Sequence, residues 1–68
     1  MNKYVVYYID EKSIYHYIKK SEYNRDVFKY NNGKYELTED ITEAMIFTGY
    51  STVIPLLNKG FNIKRVDE

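Results

Sequence analysis

The chain reads as an α+β domain: a small, mainly antiparallel sheet of four to five strands with one helix packed on one face. Three observations carry this reading. Short runs rich in Tyr, Val and Ile alternate with polar breaks through residue 37, the hydrophobic spacing turns helix-like after residue 38, and a last β-type run closes the chain. With 68 residues and no repeat, linker or low-complexity segment, residues 1–68 form one domain. A domain of this size buries only about 60% of the surface its unfolded chain exposes, so its core is thin.

The first run, Lys3-Tyr4-Val5-Val6-Tyr7-Tyr8-Ile9, is almost wholly β-formers and apolar at both parities. Such a strand is covered on both faces, which predicts a central place in the sheet. Asp10-Glu11-Lys12 is a polar break, and residues 13–19 resume β-type residues, so the two runs form a hairpin. In the second run Ile14, His16 and Ile18 share one face, with Tyr15 and Tyr17 on the other. Residues 20–25 read as a polar connection and 26–30 as a short strand. Asn31-Asn32-Gly33-Lys34 then supplies the positive φ angles of a tight turn, so a strand at 35–37 pairs back against 27–30.

After this point the pattern changes period. Residues 42–46 predict a short helical turn, with Thr38 or Thr42 as N-cap, acids in the first turn and Ala44 within; residues 46–48 also fit a strand. Gly49 ends that segment. Residues 51–59 predict a helix with Gly60 just past its end, and with Thr52 as N-cap Pro55 takes the third helical position, where no intrahelical amide is lost. Residues 61–66 close the sheet with Phe61 and Ile63 inward, and Asp67 and Glu68 fray.

Eight of the nine tyrosines lie in the first 35 residues, more aromatic surface than one short helix can shelter. The helix covers one face of the sheet, so surplus rings are expected on the other, where rigid amphipathic planes suit the gripping of another molecule. The residues expected to make contact are Tyr8, Tyr15, Tyr17, Tyr23 and Tyr30. Glu39, Asp40 and Glu43 form a second, acidic patch, which also reads as a helix start made soluble by its charges.

Net charge is zero, but residues 1–35 carry +3 and residues 36–68 carry −3. A dipole of this kind can orient a partner or pair two copies of the chain, and the thin core makes homodimerisation a further expectation. Lys19, Lys20, Arg25, Lys29 and Lys34 interleave with Tyr15, Tyr17, Tyr23, Tyr30 and Tyr35, the combination that single-stranded nucleic acid binders use. Against this second reading stands the absence of a basic excess over the whole chain.

No P-loop, GxGxxG, GxSxG or HExxH pattern occurs, and with no cysteine there is no disulfide or thiolate metal site. The single His16, set among tyrosines and lysines, is expected to be partly buried and hydrogen-bonded rather than catalytic. The chain is accordingly read as a non-enzymatic binder without cofactor or metal. It shows no run of about 18 apolar residues and no signal-peptide pattern after Met1-Asn2-Lys3, so a cytoplasmic location without membrane association is expected.

Residues with AT-rich codons (Phe, Tyr, Met, Ile, Asn, Lys) account for 35 of 68 positions, the composition of low-GC genomes and their phages. Tyr35-Glu36-Leu37-Thr38-Glu39-Asp40-Ile41, followed by Ala44, Phe47, a helix and Gly60-Phe61-Asn62-Ile63-Lys64-Arg65-Val66, resembles small uncharacterised proteins of phages infecting low-GC Gram-positive bacteria. The resemblance covers residues 35–66 and leaves the tyrosine-dense first half outside it. It implies a phage accessory protein in the host cytoplasm that blocks a host defence protein or nucleic-acid enzyme by occupancy.

Overall fold

The structure, a computed structural model, describes residues 2–25 and 34–66. It is an α+β fold built on an open five-stranded antiparallel sheet. The strands are β1 (Lys3–Ile9), β2 (Tyr15–Ile18), β3 (Leu37–Thr38), β4 (Phe47–Thr48) and β5 (Asn62–Arg65), with a short α-helix, α1 (Ile54–Asn58), and a further helical stretch at residues 22–25. Sheet order is β3-β2-β1-β4, with β5 also paired to β1. Tyr4 pairs at once with Phe47 and Arg65, and Tyr7 with Tyr17 and Asn62. A strand has two edges, so β5 takes one edge of β1 while β2 and β4 follow each other along the other. The central place expected for residues 3–9 is where β1 lies.

The connection between β1 and β2 is longer than expected, residues 10–14 rather than 10–12, and β2 begins at Tyr15 rather than Ser13. Ser13 has φ +66° and donates its amide to Asp10 O (2.9 Å), while Asp10 N–H donates to Ile14 O (3.0 Å). The carboxylate of Asp10 accepts from the amides of Lys12 (2.8 Å) and Ile14 (3.0 Å). A side chain that satisfies backbone donors this way holds the turn without glycine.

Residues 22–25, expected as plain connection, are helical. Ser21 caps them: its hydroxyl accepts from the amide of Asn24 (3.0 Å), and its carbonyl accepts from Arg25 N–H (3.0 Å). Asn24 is fully buried. Its amide donates to Lys19 O (2.6 Å) and Glu36 O (2.8 Å) and accepts from Glu36 N–H (2.6 Å). The side chain thus pairs with Glu36 much as a strand residue would, extending the ladder beyond β3. The expected strand at 27–30 and turn at 31–33 lie outside the described residues. The strand expected at 35–37 sits at Leu37–Thr38 and pairs with β2.

The helical turn expected at 42–46 is a 3-10 turn at Ile41–Glu43, capped by neither threonine but by Asp40, whose carboxylate accepts from Thr42 N–H (2.9 Å). Residues beyond it are drawn into the sheet: Met45 N–H donates to Ile18 O (2.8 Å), and Phe47 pairs with Tyr4 as β4. Long-range pairing here overrides the local helical pattern, and the strand reading of 46–48 describes the outcome.

The expected helix at 51–59 divides. Residues Tyr50–Thr52 form a 3-10 turn entered through Gly49 at φ +84°, and α1 follows with Val53 at its N-cap. Thr52 does not cap α1, because its hydroxyl donates backward to Gly49 O (2.7 Å). Pro55 falls within the first two helical positions, where its missing N–H costs nothing. At the other end Gly60, at φ +98°, donates to Leu57 O (3.1 Å) and Phe61 N–H donates to Leu56 O (3.2 Å). These paired bonds are a Schellman stop, with Phe61 packed against the cluster that contains Leu56.

The main core lies on the helix side of the sheet: Tyr4, Val6, Ile18, Phe47, Val53 and Leu56, with Tyr35, Met45, Phe61 and Ile63 packed against it. A smaller cluster of Val5, Tyr17 and Ala44, joined by Tyr7 and Val66, occupies the opposite face. The face expected to carry the surplus rings is thus partly covered by the chain itself. Among the described residues no helix is long and apolar enough to cross a membrane.

Candidate functional site

Alternation along β1 decides what each face presents. Tyr4, Val6 and Tyr8 point toward α1, and Lys3, Val5, Tyr7 and Ile9 toward the helix-free face. Directly paired residues share a face, so the registers Tyr7↔Tyr17, Ile9↔Tyr15, Val5↔Lys64, Tyr7↔Asn62 and Lys3↔Thr48 add their partners to it. Lys19 joins through its bridge to Ala44. The result is an apolar plate of Tyr7, Ile9 and Tyr15 with Lys3, Lys19 and Lys64 around it. The described strands place no acid of their own on this face, but Thr38, paired with Tyr17, holds the Glu43 carboxylate at its border.

The plate is preorganised by its own rings. Tyr7 and Tyr15 lie 5.1 Å apart at 27°, and Tyr15 and Tyr17 6.2 Å apart at 26°. Near-parallel rings as close as the first pair must overlap face to face, because side by side their edges would collide. Tyr15 and Ile9 are each 44% exposed, whereas Tyr7 is half-buried beneath them. Ring edges and hydroxyls therefore face outward more than open π-surfaces do.

The residues expected to form one contact patch are spread over the molecule. Tyr15 sits in the plate. Tyr17, expected at the contact, is only 8% exposed because it closes the small cluster over Val5 and Ala44. Tyr8 faces the helix side, stacked on His16 (4.9 Å, 19°) and edge-on to Phe61 (6.2 Å, 69°). Tyr23 is exposed on the helical turn, and Tyr30 lies outside the described residues. Tyr7, Ile9, Lys3 and Lys64 belong to the face and were not singled out. Placing the hairpin turn on residues 10–14 pairs Tyr7 with Tyr17, a signal that was available in the spacing.

The acidic residues Glu39, Asp40 and Glu43 are exposed around the 3-10 turn and engaged locally. Glu43 accepts from the Thr38 hydroxyl (3.0 Å), and Asp40 accepts from the hydroxyl and amide of Thr42. Those two bonds, the hydroxyl first, hold the Asp40 carboxyl below the usual carboxylate range. The interleaved cations are likewise separated: Lys19 reaches the helix-free face, Arg25 the helical turn, and Lys34 a cleft beside Tyr35, while Lys29 lies outside the described residues.

His16 is partly buried and hydrogen-bonded, as expected, but to a carboxylate six residues away: its Nε2 lies 2.8 Å from Asp10 Oδ2. The His16 bond, helped by the amides of Ile14 and Lys12, lowers the Asp10 pKa. Among the described residues no three His, Asp or Glu side chains gather closely enough to hold a metal ion. No protein-family model, curated protein or solved structure matches the chain, so a functional reading rests on these residues and their geometry.

Proposed function

We propose that the chain is a non-enzymatic protein-binding module that grips an acidic protein surface with the helix-free face of its sheet. The observation supporting this is the stacked Tyr7–Tyr15 plate bordered by three lysines. Rigid tyrosines lose little entropy on docking, and the lysines at the border favour a partner of opposite sign. Face-to-face pairing of two copies would set lysine against lysine, which favours a different protein over a homodimer. The resemblance of residues 35–66 to small uncharacterised phage proteins implies a host defence protein or nucleic-acid enzyme, blocked by occupancy, as that partner.

Single-stranded nucleic acid is the second reading, favoured by the same three lysines. Ring overlap counts against it, because bases stack on open faces and Tyr7 and Tyr15 turn theirs to each other.

Capture from host lysate with the wild type, Tyr15→Ser, Lys64→Glu and Tyr23→Ser separates the readings. The expected result is an acidic protein retained by the wild type and by Tyr23→Ser and lost with the other two, and no retention of an oligothymidylate. Identical captures by all four chains would overturn the placement of the site. Tight oligothymidylate binding that collapses with salt would replace the reading with the second.

A further inference from the structure

The helix-free face gathers a chemistry that docking does not use. Tyr7, Tyr15 and Tyr17 form a triangle of phenols, with ring centroids 5.1, 5.9 and 6.2 Å apart. The chain has nine tyrosines and neither cysteine nor tryptophan, so tyrosine is the side chain that yields most readily to a reagent removing one electron at a time. A tyrosyl radical carries much of its unpaired electron on the ring carbons beside the hydroxyl, the two Cε atoms. Two such radicals held together join there, carbon to carbon.

Exposure and angle single out one pair. Tyr15 is exposed and meets an oxidant in solution, whereas Tyr17 is buried. Tyr7 and Tyr15 are the closest of the three pairs and only 27° from parallel, so their overlapping faces bring ring carbons into contact at about 3.5–4.0 Å. Tyr7 and Tyr17 lie farther apart and tilted at 52°. Tyr15 and Tyr17 stand two residues apart on β2, where the extended backbone spaces same-face side chains by about 6.6 Å. That spacing holds their rings back from a bond. Register explains the favoured pair: Tyr7 faces Tyr17 and Ile9 faces Tyr15, so Tyr7 and Tyr15 are diagonal neighbours on adjacent strands, within reach of each other's rings.

We propose that Tyr7 and Tyr15 are an oxidative cross-linking site, joined Cε to Cε as a dityrosine by a haem peroxidase acting with hydrogen peroxide. Tyr15 loses an electron and its phenolic proton first. Tyr7, half-buried, refills it across the stack and sheds its own proton, and Tyr15 is then oxidised again. The two radicals couple, and the hydrogen on each coupled carbon moves to the adjacent oxygen to restore both phenols. Peroxide takes up the two electrons and two protons and leaves as water. The bond ties β1 to β2 and closes the loop of residues 7–15 as a disulfide would, in a chain that has no cysteine to make one. It forms without any partner, so the site stands apart from the docking role of the plate.

Peroxidase and hydrogen peroxide added to the dilute full chain test it. Held geometry makes the coupling intramolecular, so it outruns coupling between chains. The monomer should become lighter by two hydrogens and gain dityrosine fluorescence. Lys12 lies between the two tyrosines, so trypsin should release residues 4–12 and 13–19 as one linked pair of peptides, with fragmentation placing the bond on Tyr7 and Tyr15. Tyr7→Phe and Tyr15→Phe should each lose that linked pair, and Tyr17→Phe and Tyr23→Phe should keep it. Phenylalanine retains each ring and removes only the hydroxyl; circular dichroism like the wild type's verifies the fold. Four results would each overturn the proposal: no dityrosine in the monomer, cross-links only between chains, a bond mapped to Tyr17 in place of Tyr15, or a linked pair that survives in Tyr15→Phe.

Discussion

Replacing Asn24 with alanine removes a side chain that stands in for a strand. In the native fold its amide serves Lys19 O, Glu36 O and Glu36 N–H, all at 2.6–2.8 Å. Glu36 O keeps a second partner, Lys19 N–H at 3.0 Å, whereas Lys19 O and Glu36 N–H lose theirs. Each backbone group stranded out of water costs about 1–3 kcal/mol, so the substitution costs about 2–6 kcal/mol. Domains of this length hold only about 3–10 kcal/mol in total, at roughly 0.05–0.15 kcal/mol per residue. Asn24→Ala should therefore stand near the edge of unfolding. Asn24→Asp should be no better, because it trades two donated bonds for a carboxylate facing two carbonyl oxygens. Urea unfolding followed by circular dichroism reads this directly: at a slope of about 1 kcal/mol per molar, the midpoint falls by about 2 M or more. The exposed neighbour Tyr23→Ser should stay within about 0.5 kcal/mol of the wild type. A loss below about 0.5 kcal/mol for Asn24→Ala at unchanged slope would refute the argument that this side chain completes the ladder.

Ser13 at φ +66° sits where an L-residue is strained, so Ser13→Gly should stabilise the hairpin by up to about 1 kcal/mol after the added unfolded-state entropy is deducted. That is a rise in Tm of several degrees in a thermal melt. Gly60→Ala reverses the logic: a methyl group there meets no atom within 4 Å, yet φ +98° is strained for alanine, and a loss of about 1 kcal/mol or more is expected in the same melt. The Asp10 pKa is lower in the folded chain than its ordinary value of 3.8, so its contribution is present above that value and is lost as pH falls through the folded value. Asp10→Asn should lower the urea midpoint at neutral pH and flatten its decline on acidification; an acid limb as steep as the wild type's would contradict the assignment.

Much of the architecture was legible because its signals are local. The β-formers at 3–9 mark β1, Asp10 and its polar neighbours mark the hairpin, and Gly60 marks the end of α1 as the left-handed residue of its stop. Elsewhere local pattern lost to distant partners. Residues 42–46 have the pattern of a helical start, with acids in its first turn and Ala44 within, but Ile18 O and Tyr4 offer backbone bonds that pull the residues after Glu43 into the sheet. Thr52 has the chemistry of a cap and spends its hydroxyl on Gly49 instead. Asn24 gave no sign of its role, because an asparagine in a polar stretch looks like any loop residue until the chain brings Glu36 beside it. The candidate site shared this limit: a surplus of tyrosines was plain, and their division between faces was not.

Composition and periodicity alone determined that this is a small α+β domain with a doubly covered central strand, a first hairpin and more phenol rings than its helix can hide. Tertiary structure decided which rings meet solvent, placing Tyr15 in a plate with Tyr7, Tyr17 under it and Tyr8 on the opposite face. The physical reason is register. Strand formation depends on residues close in sequence, but the face a side chain takes depends on which distant residue its strand is paired with, and a slip of one position reverses every assignment.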